Sequence, residues 1–297
     1  MSVKGEKQHL ETDIDRFLGK QSPRIEAYDS GLLVRIPRSF NRVNLGVQAD
    51  ARVFEGVDIW TAYEVSFLLA NGLPVVGVIQ FSVPAHSPAI VESKSVKLYL
   101  SSFNSEQMGD SIESAISAFC ARVSDDISRK TESEVSVRWV TRWQDPEFLG
   151  SFLTLESSKR EAIDWKQCAA KGLHYISAPG DFTVRWHSSL LRSQCRITQQ
   201  PDWGDIFIEI VAKRVPTEVS MLAYIMNMRD EEHFHEEIVE AIYYELLTSC
   251  QPEELLVYAQ YTRRGGVDIN PLRCLNQATY ASWFSGTFPL FKPTFRQ

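Results

Sequence analysis

The chain has 297 residues, of which 44% are apolar, with a formal charge of −7 and a pI of about 5.5. That is enough apolar material for a true core in one large or two ordinary domains. The acidic balance argues against direct nucleic-acid binding, the lack of any ~20-residue apolar run against a membrane span, and five cysteines without a CxxC pair against a disulfide scaffold or a metal site.

Residues 1–25 are polar and read as a flexible N-terminal segment without a signal-peptide core. A short apolar segment over 31–39 follows. Residues 58–70 read as a strand, Asn71-Gly72 as a hairpin turn, and 73–83 as the returning strand. Trp60 and Tyr63 are assigned to the core. The run 91–104 reads as a further strand, because its second half alternates, with Glu92, Lys94 and Lys97 at the strand entrance. Ile112, Ile116, Phe119 and Val123 have helical spacing, so 111–123 is a helix. A strand follows at 135–143, and an interdomain linker is placed at 147–171.

The second half begins with strands near 174–176 and 182–191, then 205–211. Residues 221–228 fit strand or helix by periodicity. Their likeness to 97–104, apolar-Tyr-apolar followed by a polar turn, assigns them to a strand as well. Asp230 is expected to cap a helix over 232–248, where Ile238, Ile242 and Leu246 recur at helical spacing. A strand over 254–262 ends at Arg263-Arg264-Gly265-Gly266. The two halves repeat one strand-and-helix order, which points to a duplicated α+β module. The first module spans 26–150 and the second 165–275, and 276–297 is a C-terminal tail.

Between the strands of the second half lies Ser193-Gln194-Cys195-Arg196-Ile197-Thr198-Gln199-Gln200-Pro201-Asp202-Trp203-Gly204. It reads as an ordered loop that holds a thiol near a carboxylate, with Arg192 and Arg196 as cations favouring a thiolate. A thiolate attacks electrophilic carbon, and a neighbouring acid moves protons. Taken alone, Cys195 reads more readily as a small buried hydrophobe than as a nucleophile. This run resembles the nucleophile loop of the NADPH-dependent 7-cyano-7-deazaguanine reductases, the nitrile reductases of queuosine (tRNA-modification) biosynthesis. Three further stretches carry the same resemblance, in its long two-module form: Glu92-Ser93-Lys94-Ser95-Val96-Lys97-Leu98-Tyr99, Phe234-His235-Glu236, and 261–271 around Arg264-Gly265. Arg196 beside the nucleophile and the tail depart from the family pattern.

The resemblance implies tandem tunnelling-fold (T-fold) modules, each an antiparallel sheet with two helices on one face, in a cytoplasmic homodimer. It implies Cys195 and Asp202 as catalytic residues, with Cys195 forming a thioimide on the nitrile. It implies Val91, Glu92, Ser93, His235 and Glu236 as binders of the base, and Ser93, Lys94, Arg264 and Gly265 as binders of NADPH, with no metal. No Rossmann fingerprint is present for the dinucleotide. Two other readings stay open: an amidine-forming transferase on the same nitrile, which needs no NADPH, and a non-catalytic base-binding T-fold protein.

Overall fold

The computed structural model describes residues 27–47, 53–141, 152–157, 164, 172–196, 199–276, 284–285, 288–289 and 294. The N-terminal segment, most of the linker and tail, and Ile197 and Thr198 lie outside the described residues. In the first half come β1 (Arg35–Pro37), α1 (Ser39–Arg42), β2 (Glu55–Leu68), β3 (Pro74–Pro84), β4 (Ala89–Val91), α2 (Ser93–Ser101), α3 (Ile112–Thr131) and β5 (Ser136–Trp139). Then come β6 (Leu153–Thr154), β7 (Tyr175–Gln194), β8 (Pro201–Pro216), α4 (Glu218–Asn227), α5 (His235–Cys250), β9 (Glu254–Tyr261) and β10 (Val267–Cys274), with a short pair, β11 (Phe284–Ser285) and β12 (Phe288–Pro289).

The fold is α+β, built from tandem T-fold modules whose strands join one eight-stranded sheet in the order β5-β3-β2-β10-β9-β8-β7-β6. Every pairing in it is antiparallel except β6 with β7. Strand alternation sends side chains to two faces. Ile206, Ile208 and Ile210 of β8 pack under α4 and α5, while Phe207 points to the other face, against Tyr258 and Leu272. In the first module Trp60 and Ala62 of β2 pack with Val96 and Tyr99 of α2 and Phe119 and Val123 of α3. Because Ile269 pairs with Trp60, and Arg273 with Val257, both helix pairs lie on one face of the shared sheet.

The seam between modules is β10 on β2, running from Val267↔Ala62 to Cys274↔Glu55. At Gly56 (φ +130°) any Cβ would stand 2.2 Å from the Leu272 carbonyl oxygen, so only glycine lets the strands approach there. A charge cluster is buried on the helix side of the seam. Arg273 contacts Asp58 and Glu240, each at 2.8 Å, Arg42 reaches Glu240 at 2.7 Å, and Arg38 pairs with Asp58. Burial alone would raise the Glu240 carboxyl, but Arg273 and Arg42 prevail and hold it at about 2.

Several expectations are corrected. Residues 93–101 are helix, not strand. Glu92 is the N-cap, and Val96, Tyr99 and Leu100 bury one helical face. The same correction applies to 221–228: residues 221–227 lie within α4, started by Thr217 accepting from the Ser220 amide, and Met228 opens the 3-10 turn that follows. The likeness between the two segments therefore holds, but both members are helical. Helix α5 starts from Phe234 rather than from Asp230, which sits in a preceding 3-10 turn. The ordered loop is shorter than expected: Ser193↔Asp202 and Gln194↔Pro201 are paired, so Pro201–Gly204 begins β8 and only the turn between them carries Cys195.

Candidate active site

A cavity of about 550 Å³ opens where the start of α2, the β7–β8 hairpin, the start of α5 and the β9–β10 turn converge. That volume lies within the roughly 300–1,000 Å³ of small-molecule sites. Every residue that the resemblance implies as catalytic or binding lines it: Val91, Glu92, Ser93 and Lys94 from the first module, Cys195 and Asp202 from the hairpin, His235 and Glu236 from α5, and Arg264 and Gly265 from the last turn.

The hairpin geometry fixes the thiol. The Cys195 N–H donates to the Gln200 carbonyl (2.9 Å), and the Gln199 N–H returns to the Cys195 carbonyl (2.8 Å), with Gln199 in the left-handed region at φ +53°. The end of β7 is strapped to the segment before α5, since Gln194 N–H donates to Glu231 O (2.9 Å) and His233 N–H to Gln194 O (3.1 Å). Cys195 itself is half-buried.

Asp202 is buried, with its two oxygens directed at different partners. Oδ1 meets Arg264 Nη1 at 2.8 Å, and Oδ2 lies 3.5 Å from His235 Nε2. The His235 ring lies flat on Tyr261, with centroids 3.8 Å apart and planes 3° from parallel. Burial, and then the nearby Asp202 charge, pushes the Tyr261 phenol up, so it stays neutral.

The cations expected beside the thiol are engaged elsewhere. Arg196 ion-pairs with Glu237 (2.9 Å) and reaches His233 Nδ1 (3.2 Å). Arg192 donates to the Arg229 carbonyl (3.0 Å) and lies over Trp203. Arg196 thus anchors the hairpin tip to the start of α5.

The two glutamates differ. The Glu92 carboxylate accepts from the Lys94 and Ser95 amides (2.9 and 2.7 Å) and is half-exposed. Glu236 is 3% exposed in the first turn of α5, and its Oε1 has no hydrogen-bond partner. Burial, followed by the charge of Asp58, pushes its carboxyl up to about 8.

A cationic rim faces the carboxylates. Lys94 and Lys97 are exposed on α2, beside Arg264. Gly265 has φ +58°, and a Cβ there would stand 3.1 Å from Lys97 Nζ, so the turn forms a cradle that a side chain would fill. Three cations around exposed backbone suit the phosphates of a dinucleotide. Lys97, Gln200, His233 and Thr262 also line the cavity and were not assigned to it from the sequence. For Lys97 the missing signal was the helix, which places it one turn beyond Lys94.

Fold and site together define a two-module T-fold protein with a thiol–carboxylate pair in a cavity ringed by cations. Residues 25–139 match the family model described as "Nitrile reductase, 7-cyano-7-deazaguanine-reductase N-term", and residues 201–280 match that of "QueF-like protein". An NADPH-dependent 7-cyano-7-deazaguanine reductase of Chromobacterium violaceum is 38% identical over 271 residues, covering 89% of this chain and 93% of that protein. Reductases of the same name from Delftia acidovorans (37%; 86% and 92% covered) and Saccharophagus degradans (36%; 90% and 96% covered) are similar to it as well. The chain belongs to the NADPH-dependent 7-cyano-7-deazaguanine reductase family.

Proposed function

We propose that the protein reduces the nitrile 7-cyano-7-deazaguanine to the primary amine 7-aminomethyl-7-deazaguanine, with NADPH as reductant and Cys195 as covalent nucleophile. The observation that carries this reading is the convergence of Cys195, Asp202, Glu236 and the cationic rim on one cavity. Glu236, with an unpartnered oxygen, accepts hydrogen bonds from the ring N–H and exocyclic amine of the base, and His235 borders the same edge. Cys195 adds to the nitrile carbon to give a thioimide, and Asp202 delivers the proton to nitrogen. Ser93, Lys94, Arg264 and Gly265, with Lys97, would hold NADPH, which when bound supplies a hydride to each of the two reduction stages. Between the two stages the Cys195 thiolate leaves, so that an imine is the acceptor in the second, and Asp202 serves again as a proton carrier.

The reading extends to a cytoplasmic homodimer acting on the free base and not on nucleic acid, in keeping with the acidic pI and the homodimer known for the family's long form. Among the described residues no helix is long and apolar enough to cross a membrane.

The test is to mix the protein with the nitrile and NADPH and follow the nicotinamide absorbance, with mass spectrometry of the protein in parallel. Wild type should oxidise two NADPH per nitrile and carry an adduct on Cys195. Cys195→Ala should lose both, while still binding the base. An adduct without NADPH oxidation, in the presence of an amine donor, would make the protein the transferase. Base binding with neither would make it a non-catalytic binder. An adduct on Cys120, Cys168, Cys250 or Cys274 would overturn the assignment of the nucleophile.

A further inference from the structure

Arg264 does more in this structure than edge the cavity. Its guanidinium makes three contacts within the reactive hairpin: Nη1 with Asp202 Oδ1 at 2.8 Å, Nη2 with the Pro201 carbonyl at 3.0 Å, and Nη2 with Gln200 Oε1 at 3.3 Å. Pro201 is the residue before the acid, and Gln200 supplies the carbonyl that receives the Cys195 amide. One planar fork therefore spans the acid and the turn that holds the thiol. The fork is itself fixed, since the Arg264 N–H donates to Val267 O (2.8 Å) and the Val267 N–H to Arg264 O (3.2 Å). The other oxygen of Asp202 faces His235, whose ring is clamped on Tyr261.

We propose that Arg264 is the positioning residue of Asp202: it aims the carboxylate for the proton transfer of thioimide formation, a step that precedes any hydride. This rests on the function proposed above. In that step the S–H bond breaks, a C–S bond forms and one π bond of the nitrile opens. The thiol proton reaches the nitrile nitrogen through Asp202, so nothing is oxidised or reduced and no further reactant is needed. A residue that only bound the cofactor would take no part in it.

The experiment is stopped-flow absorbance of adduct formation with 7-cyano-7-deazaguanine and no NADPH, at saturating nitrile. It compares wild type, Arg264→Ala, Asp202→Asn and the double variant. Arg264→Ala should form the adduct at least about tenfold more slowly, given the 10²–10⁴ that a positioned acid–base group contributes. Its affinity for the aminomethyl product should stay unchanged, which also shows that the fold is intact. In the double variant Arg264→Ala should add nothing to the slowing caused by Asp202→Asn, because both act through one carboxylate. Arg264→Lys keeps the charge without the fork, should also be slow, and serves the test if the alanine variant does not fold. Adduct formation at the wild-type rate with only a raised KM for NADPH would overturn the proposal, as would effects that multiply in the double variant. A wild type that forms no adduct and oxidises no NADPH would instead sink the function proposed above.

Discussion

Two helices begin at the cavity, one from each module, and they present their glutamates differently. Glu92 stands before α2 and gives both carboxylate oxygens to amides of its own helix. Glu236 stands inside the first turn of α5, whose N-cap Phe234 makes no side-chain capping bond. Buried, with one oxygen unpartnered, it is pushed up to about 8. The same residue type at the start of a helix is in one module a cap, and in the other a buried carboxyl with an oxygen left without a partner, which suits the base-binding role proposed for it. An unsatisfied buried carboxyl is costly, and a ligand that satisfies it recovers that cost as affinity.

The largest expected effect tests the buried carboxyl. Two charge-assisted hydrogen bonds are worth roughly 1.5–3 kcal/mol each. Glu236→Gln should therefore weaken binding of the aminomethyl product on the order of 100-fold or more by calorimetry. A larger loss in Glu92→Gln would reverse the assignment of the two roles.

Next in size is the pH dependence. Folding raises the Glu236 carboxyl from its ordinary 4.5 to about 8, so below about 8 the free protein carries a proton that the base must displace. Product affinity should rise about tenfold per pH unit up to about 8 and then level off. The slope should vanish in Glu236→Gln. A wild type with no slope between pH 6 and 8 would mean that the carboxyl is already ionised. The same shift acts on stability: the ligand-free protein gains most from Glu236 below pH 4.5 and loses that contribution as pH rises to about 8.

The smallest effect tests the cap. Glu92→Ala should cost about 0.5–2 kcal/mol of stability, the usual worth of a capping side chain. By thermal melting that is a loss of a few degrees, roughly 2–4 °C per kcal/mol. Product affinity should fall by less than about tenfold. A collapse of affinity with no change in Tm would make Glu92 a ligand first and a cap second.

The strands β2, β3 and β9 and the helices α3 and α5 were legible in the sequence because each is long and keeps one period. Helix α2 was misread because Leu98, Leu100 and Ser102 alternate as a strand does, while its true signal is the i, i+3, i+4 set of Val96, Tyr99 and Leu100. Its cap is a glutamate, outside the usual Ser, Thr, Asp and Asn. The α4 helix carried a proper Thr217 cap that the likeness to 97–104 outweighed. Strand β10 went unread because Asp268, Asn270, Pro271 and Arg273 do not look like a core strand, yet every residue in it is buried. The site's membership came from four short motifs that resemble a family. Its wiring did not: that Arg264 grips Asp202, or that Arg196 turns from the thiol to Glu237, depends on contacts between distant segments.

The seam between β2 and β10 also sets the order of assembly on the ribosome. β2 can pair with β3 as soon as their hairpin emerges, but its other edge stays open through most of synthesis. The strand that closes it is the last of the second module, and Arg273 bonds the Val57 carbonyl across 216 residues of chain. Asp58 has Arg38 of its own module as an early partner, and gains Arg273 only at the end. The first module therefore emerges with an unpaired strand edge and with Asp58 only partly paired, so late, non-local closure is built into the topology.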